Sequence, residues 1–207
     1  MERRIGILNY GLGNLSSISH ALTSLGIFHE ILTSPDALTR VSHIILPGVG
    51  SFREGMTGLE RAGFIEPLRQ AVAVEKKPLL GICLGMQLLA DVGLEHGEHA
   101  GLSFLSGRVE RIPTEVHKLP LPHIGWNSVH FSEGKRILKG LTQDTDFYFV
   151  HSYHFISDDK EVIAGVTEYG IQIAAVVEKG NIFGAQFHPE KSGEEGLKIL
   201  KNFSEVV

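Results

Sequence analysis

Residues 77–87, Lys77-Pro78-Leu79-Leu80-Gly81-Ile82-Cys83-Leu84-Gly85-Met86-Gln87, contain the strongest structural signal in this sequence. A short apolar run leads into a cysteine between two glycines, and a helical pattern follows over Leu84–Ala90. A strand that turns sharply into a helix needs small residues beside the turn and exposes the central side chain as a nucleophile. We therefore predict that Cys83 is a nucleophile. The N–H of Leu84, at the start of the helix, is predicted to stabilise an oxyanion.

Strand and helix patterns alternate on the N-terminal side of this turn as well. Apolar runs at Ile5–Leu8 and His43–Leu46 each end in a Gly-rich turn. Apolar residues at helical spacing are Leu15, Ile18, Leu22 and Leu25, between a candidate N-cap Asn14 and Gly26, and then Phe64, Ile65, Leu68, Ala71 and Val72. This alternation predicts an α/β fold with a parallel, doubly wound sheet.

After about residue 91 the sequence becomes rich in short β segments. They are Arg108–Ile112, Trp126–Phe131, Phe147–Tyr153, Val162–Thr167, Ile171–Val177 and Ile182–Phe187, and an amphipathic helix with Leu197, Leu200 and Phe203 follows. Short polar turns between strands favour antiparallel additions to the parallel sheet. Because no internal repeat or long linker interrupts the pattern, we expect one domain over residues 1–207.

The composition excludes several classes of function. With 19 basic and 24 acidic residues the formal charge is −5, so the chain lacks the basic surface of a nucleic-acid-binding or membrane-anchored protein. No apolar run approaches the roughly 20 residues that span a bilayer. Met1–Ile5 leads directly into a strand pattern, unlike a secretory signal. A single cysteine excludes an internal disulfide, and a cytoplasmic location is expected.

A cysteine nucleophile requires a base, and the sequence offers eleven histidines. His188 follows the apolar run Ile182–Phe187, and strand ends are where open α/β sheets place their sites. Glu190 lies two residues later, so in an extended backbone both side chains leave the same face. Pro189 biases His188 towards that geometry. His-Pro-Glu is also typical of a surface turn, but beside the Cys83 turn we predict that His188 is the base and Glu190 orients it.

The segment Pro47-Gly48-Val49-Gly50-Ser51 follows another apolar run and has two interpretations. It could be a plain turn between strand and helix. Alternatively, the glycines beside Val49 let a peptide plane rotate at low cost, so that Val49 supplies a second oxyanion donor. Such a rotation would turn the Val49 N–H towards or away from the oxyanion.

Two other segments argue against a cofactor. The turn Gly11-Leu12-Gly13-Asn14 lacks the third glycine of a dinucleotide-binding fingerprint. His96 and His99 have no further ligands at metal-binding spacing, so we interpret them as loop residues. The sequence therefore predicts neither a metal ion nor an organic cofactor.

Gly81–Gln87 together with Phe187-His188-Pro189-Glu190 resembles the class I (triad) glutamine amidotransferases, and the resemblance covers essentially the whole chain. It implies a flavodoxin-like, mostly parallel sheet and a Cys83, His188 and Glu190 triad that hydrolyses glutamine. The positions at which relatives bind glutamine correspond to Gly50, Gln87, Glu95, Ser152 and Tyr153. For Glu95, a plain surface acid is the alternative. Asn9 stands where many relatives carry Asp, a departure that leaves the triad unchanged.

Three further segments are similar to one branch of this family, the glutaminases that serve imidazole glycerol phosphate synthesis in histidine biosynthesis. They are Pro47–Gly50, Pro122–Asn127 and Tyr148–Tyr153. The resemblance implies a partner protein, a (β/α)₈-barrel cyclase that receives the ammonia. Trp126 and His123 are candidates for the face that docks this partner, since aromatic side chains are enriched at interfaces. Ordinary packing within a strand is the alternative for Trp126.

Other functions stay open at this point. A paralogous glutaminase could feed a surface-sugar amidation, and a stand-alone cysteine hydrolase or peptidase could use the same scaffold. A silent binding subunit could instead signal through oxidation of Cys83. Release of ammonia from glutamine distinguishes a glutaminase from the last two.

Overall fold

The computed structural model describes residues 3–113 and 118–207. The strands in this part of the chain are β1 Ile5–Leu8, β2 His29–Leu32, β3 His43–Leu46, β4 Leu79–Ile82, β5 Val92–Gly93, β6 His99–Ala100, β7 Gly107–Arg111, β8 His123–Phe131, β9 Thr145–His151, β10 Tyr153–Ser157, β11 Ile163–Glu168, β12 Gln172–Lys179 and β13 Ile182–Ala185. The α-helices are α1 Leu15–Ser24, α2 Phe52–Arg61, α3 Ile65–Arg69, α4 Leu84–Gln87 and α5 Gly193–Glu205.

Nine of these strands form one sheet in the order β2-β1-β3-β4-β13-β12-β11-β8-β9. The first five strands in this order, β2 to β13, pair in parallel, and the pairs from β13 to β9 are antiparallel. Strands β1, β3 and β4 are buried along their whole length, as strands covered on both faces must be. The prediction of an α/β sheet with antiparallel additions is confirmed.

A smaller sheet, in the order β10-β7-β5-β6, lies beside the large one. The sequence pattern predicts one strand over Phe147–Tyr153, but the structure divides this segment between the two sheets. Strand β9 ends at His151 and β10 begins at Tyr153, so the chain leaves the large sheet at Ser152. At the break the Ser152 carbonyl accepts the N–H of Ile112 at 3.0 Å, and the Tyr153 carbonyl is turned towards the side chains of His151 and Gln87.

The first three helices differ in how far the sequence pattern predicted them. Asn14 caps α1 as predicted, since its side chain accepts the N–H of Ser17 at 3.3 Å. Helix α2 has a capping box between Ser51 and Glu54, which the sequence analysis missed. The helix predicted through Val72 is α-helical only to Arg69 and continues as a π-turn over Gln70–Val74.

One strand was not predicted, and one helix is shorter than predicted. Strand β2 was not predicted, because it lies at the sheet edge and buries only Leu32. The helix predicted over Leu84–Ala90 is regular only to Gln87. Among the described residues, no helix is long and apolar enough to cross a membrane.

Candidate active site

The backbone at Cys83 has a conformation that L-residues rarely adopt. Its φ is 53° and its ψ is −112°, between the end of β4 and the start of α4. The Cys83 N–H donates to the carbonyl of Ala185 at 2.8 Å, and the Cys83 carbonyl accepts the N–H of Met86 at 3.0 Å. These contacts hold a strained conformation of the kind found at active sites. The predicted strand-to-helix turn is confirmed, and Cys83 is 6 % exposed.

The flanking glycines are required by close backbone approaches. A Cβ at Gly85 would lie 1.9 Å from the carbonyl oxygen of Leu46, and one at Gly81 would lie 2.6 Å from the carbonyl oxygen of Gly85. Side chains at either position would therefore separate α4 from β3 and β4. The prediction that small residues allow this turn to close is confirmed.

His188 and Glu190 form a buried pair. Their Nδ1 and Oε1 atoms are 2.8 Å apart, and the two side chains are 4 % and 1 % exposed. The backbone of His188 is fixed by a hydrogen bond from its N–H to the Tyr148 carbonyl and by one from the Ser192 hydroxyl to its own carbonyl. The extended backbone predicted over residues 188–190 is wrong beyond His188. Pro189–Lys191 form a 3₁₀ turn, and this turn brings the carboxylate to the imidazole.

The surroundings of His188 favour its charged form. Burial lowers its pKa, but interactions with Cys83 and Glu190 outweigh burial and raise the pKa of His188 from 6.5 to about 9. With Nδ1 engaged by Glu190, Nε2 is left for proton transfer, and it has no well-formed hydrogen bond to any described residue. Cys83 and His188 are thus arranged as a nucleophile beside an imidazolium that can give up a proton from Nε2.

A cavity of about 340 Å³ adjoins this pair. Nine of the ten predicted site residues line it: Val49, Gly50, Cys83, Leu84, Gln87, Glu95, Ser152, Tyr153 and His188. The tenth, Glu190, contacts His188 without lining the cavity. Val150 and His151 also line it and were missed by the sequence analysis. Their place in the run Tyr148–Tyr153 is the signal that could have identified them.

Gln87 and Glu95 offer oxygen atoms to a polar ligand in this cavity. The side-chain amide of Gln87 donates to the Tyr153 carbonyl at 2.9 Å and to Gln186 Oε1 at 3.0 Å, so only its carbonyl oxygen is left for a ligand. Glu95 Oε2 accepts the N–H of Phe52, the first residue of α2, at 2.8 Å. This contact fixes a carboxylate at the cavity wall, where it can bind a cation.

The Pro47–Gly50 turn lies against the start of α4. A Cβ at Gly48 would be 2.8 Å from Leu84 Cβ and 2.9 Å from the Gly85 nitrogen. The hydroxyl of Tyr10 donates to the Pro47 carbonyl at 2.6 Å, and burial together with the nearby Cys83 raises the pKa of Tyr10 well above its usual value. Val49 itself is 42 % exposed, and Gly50 has a φ of 99°. The turn is therefore anchored at its start and open at Val49.

Strand β8 presents different side chains on its two faces. Ile124 and Trp126 are 61 % and 58 % exposed, whereas His123 is buried. The prediction that His123 lies on a docking surface is therefore wrong: alternation along the strand turns its ring inward, where it stacks on Phe149 and Tyr169.

A larger open cleft of about 810 Å³ lies between the Tyr10–Leu12 turn and α2. It shares Glu95 with the smaller cavity, but Cys83 and His188 line only the smaller one. Over residues 3–113 and 118–207, no group of three or more His, Cys, Asp or Glu side chains is arranged to hold a metal ion. We therefore assign the chemistry to the smaller cavity.

Comparison with known proteins gives consistent matches. The family model for class-I glutamine amidotransferases matches residues 7–206. An imidazole glycerol phosphate synthase subunit HisH from Desulfitobacterium hafniense (strain DSM 10664 / DCB-2) is 50 % identical, over 98 % of this chain and 94 % of that relative. A protein of the same name from Moorella thermoacetica is 46 % identical, over 99 % of this chain and 96 % of that relative.

Solved structures share the fold at lower identity. A crystal structure of a glutamine amidotransferase superposes with a TM-score of 0.75 at 22 % identity, over 96 % of each chain. A glutamine amidotransferase from Thermotoga maritima gives a TM-score of 0.68 at 18 % identity, over 98 % of this chain and 83 % of that one.

Proposed function

The chain belongs to the class I glutamine amidotransferase family, and on that premise we propose that it is the glutaminase subunit of an imidazole glycerol phosphate synthase. It hydrolyses glutamine to glutamate and ammonia and passes the ammonia to a synthase subunit in histidine biosynthesis. The observation that carries the activity is the cavity at which the strained Cys83 meets the buried pair of His188 and Glu190. The high identity to subunits of that name favours this role over a surface-sugar amidation.

In the first step, the Cys83 thiolate attacks the side-chain amide carbon of glutamine and a C–S bond forms. The carbonyl electrons move onto oxygen, where the N–H of Leu84 and a donor at Val49 stabilise the negative charge. Leu84 is the first residue of α4, so its N–H has no acceptor within the helix. When the tetrahedral intermediate collapses, the C–N bond breaks and His188 gives its Nε2 proton to the departing ammonia.

In the second step, the now neutral His188 takes a proton from water. The resulting hydroxide attacks the γ-glutamyl thioester, the C–S bond breaks, and glutamate leaves with the thiolate restored. Glu190 holds the imidazole by Nδ1 throughout and stabilises its charged form. The three side chains therefore complete the hydrolysis and return to their starting state.

The remaining cavity residues bind the unreactive part of glutamine. We assign the substrate ammonium to Glu95, whose carboxylate is fixed by the N–H of Phe52. The carbonyl oxygen of Gln87 and the backbone of Gly50, Ser152 and Tyr153 are assigned to the other polar groups of the substrate.

The partner is a (β/α)₈-barrel cyclase, docked on the face that carries Ile124 and Trp126. Ile124 and Trp126 leave the same face of β8, and Trp126 contacts Tyr148, so the three form a contiguous patch of the kind that marks an interaction surface. Ile124 pairs across the sheet with Val150, which lines the cavity, so the docking face adjoins the place where ammonia forms. With this arrangement, ammonia travels only a short distance from the cavity to the partner.

Glutamate and ammonia release from glutamine, measured with and without the cyclase, tests the proposal. Cys83→Ala should abolish the release, while the complex of this variant with the cyclase should still form product from added ammonium salts. That second activity is the control for folding and assembly. Glutamine hydrolysis by Cys83→Ala at a rate comparable to that of the unchanged chain would contradict the assignment. Cleavage of peptide amides without a partner would favour a stand-alone hydrolase.

A further inference from the structure

Two buried histidines lie between the docking face and the cavity and have no part in the chemistry above. His123, on β8, and His151, at the end of β9, are 3 % and 6 % exposed. His123 Nδ1 is 3.0 Å from His151 Nε2, and His151 Nδ1 is 2.8 Å from the carbonyl oxygen of Tyr153. The two rings thus form a chain of hydrogen bonds that ends at the cavity wall.

The hydrogen-bond partners of the two rings determine which ring nitrogen carries each proton. A carbonyl oxygen only accepts, so Nδ1 of His151 carries its proton and Nε2 of the neutral ring accepts. His123 Nδ1 must therefore be the donor to His151. The remaining nitrogen of His123 accepts from Asn127 Nδ2 at 3.1 Å, and the other amide hydrogen of Asn127 goes to the Glu168 carbonyl. Every donor meets an acceptor when both rings are neutral.

Other contacts support this arrangement. Asn127 Oδ1 accepts the N–H of Ser128 at 2.9 Å, which fixes the orientation of the amide. The ring of His123 stacks on Tyr169 with centroids 4.1 Å apart. Burial lowers the pKa of His123 to about 4 and that of His151 to about 3, so both rings are neutral at physiological pH.

The chain of hydrogen bonds ends at the carbonyl oxygen of Tyr153, which also binds the side chain of Gln87. The Tyr153 carbonyl accepts both His151 Nδ1 and Gln87 Nε2, at 2.8 and 2.9 Å. These two donors fill the acceptor capacity of the carbonyl and fix residue 153 relative to α4. Without the His151 donor, the Tyr153 carbonyl would be held by Gln87 alone, while the Ser152 carbonyl would keep only the N–H of Ile112.

We propose that His151, oriented by His123, is a positioning residue for glutamine. It fixes the backbone at Ser152 and Tyr153, and through the shared carbonyl the side chain of Gln87, so that the substrate meets a preformed wall. This inference rests on the proposed glutaminase function. It assigns to His151 an effect on glutamine binding and not on proton transfer, which belongs to His188.

Steady-state glutaminase kinetics of the complex with the cyclase test the role of His151. His151→Leu has a side chain of similar volume but removes both hydrogen bonds. We expect the KM for glutamine to rise about tenfold while kcat falls less than about threefold. His151→Asn retains an N–H donor near the position of Nδ1 and should restore most of the KM. His154→Leu is the matched control, since this buried imidazole on β10 has no hydrogen-bond partner among the described residues. Its KM should be unchanged.

Nitrogen-15 NMR of the imidazoles is a second measurement, valid even if His151→Leu does not fold. We expect His151 to be neutral with its proton on Nδ1 at pH 7. A charged ring, a proton on Nε2, an unchanged KM in His151→Leu, or equal impairment in His151→Leu and His151→Asn would overturn the inference. If the unchanged complex released no ammonia from glutamine, the proposed function would fail instead, and the NMR result would still decide the geometry.

Discussion

The two sides of the cavity are built in different ways. On the parallel side, close backbone contacts place Cys83: glycines let α4 pack on β3 and β4, and the strained φ follows from that packing. On the antiparallel side, the wall at Tyr153 is held by polar side chains, His151 and Gln87. The position of the nucleophile therefore depends on glycines. The position of the cavity wall at Tyr153 depends on hydrogen bonds from two polar side chains.

Two histidines in the same cavity show how neighbours set charge. The carboxylate of Glu190 and the thiol of Cys83 raise the pKa of His188 to about 9, in spite of burial. His151 meets the Tyr153 carbonyl and the ring of His123, and burial lowers its pKa to about 3. A buried imidazole is thus charged where it meets an anion and neutral where it meets a dipole. The parallel side holds the proton that the chemistry uses.

The largest effect is expected from removing the base on the parallel side. His188→Asn should lower kcat for glutamine hydrolysis at least about 10³-fold, because both proton transfers lose their carrier. Glu190→Gln should cost less, since the carboxylate only orients and stabilises the ring. The exposed His20→Asn is the control and should keep full activity. Greater damage from Glu190→Gln than from His188→Asn would contradict these roles.

The next largest effect concerns the oxyanion donor at Val49. Val49→Pro deletes the N–H and should lower the glutaminase rate of the partner-stimulated enzyme about 10²–10³-fold, with a much smaller effect on the rate of the isolated chain. Val49→Ala keeps the N–H and should retain stimulation. Glutaminase rates for the isolated chain, with the cyclase, and with the cyclase and its acceptor substrate test this prediction. Equal rates under all three conditions would show that the turn does not switch.

A smaller effect is expected in the pH dependence of stability. The pKa of His188 is raised in the folded state, so its stabilising contribution is complete below about pH 6.5 and is lost as pH rises through about 9. Urea unfolding between pH 7.5 and pH 9.5, where the histidines of the unfolded chain are almost all neutral, should show a decrease of order 1–2 kcal/mol. His188→Asn should remove that decrease. Over this range His151 is neutral in both the folded and the unfolded chain, so it contributes no pH dependence and His151→Asn should keep the slope.

The smallest effect is expected at the docking face. Trp126→Ala should weaken binding of the cyclase about tenfold, because a large exposed aromatic ring is lost from the interface. Isothermal titration of the two subunits measures this change. Phe28→Ala is the matched control, since Phe28 is another exposed aromatic residue, 53 % exposed, on the segment before β2. Equal weakening by both variants would place the docking face elsewhere.

The sequence was sufficient where the structure depends on neighbouring residues. Gly81, Cys83 and Gly85 lie within one turn, so local pattern predicted the turn and the orientation of its nucleophile. The hydrogen bond between His123 and His151 joins residues 28 positions apart. No local pattern marks such a contact, and eleven histidines gave no reason to choose these two.

Two other differences have local causes that the pattern concealed. The pairing of His188 with Glu190 was predicted, but Pro189 begins a 3₁₀ turn and the extended backbone does not continue. At residue 152 the apolar pattern runs on from β9 into β10, although the chain changes sheets there. Hydrophobic alternation reports burial, and burial is similar in both sheets.

The exposure of Trp126 also makes the protein convenient to observe. The 207 residues contain one tryptophan, and its ring is 58 % exposed with Tyr148 at its edge. An indole in water emits at longer wavelength than one covered by protein. The tryptophan fluorescence of the chain, excited selectively over its four tyrosines, therefore comes from a single reporter on the proposed docking face, and a blue shift of this emission on mixing with the cyclase would follow assembly in real time without any label.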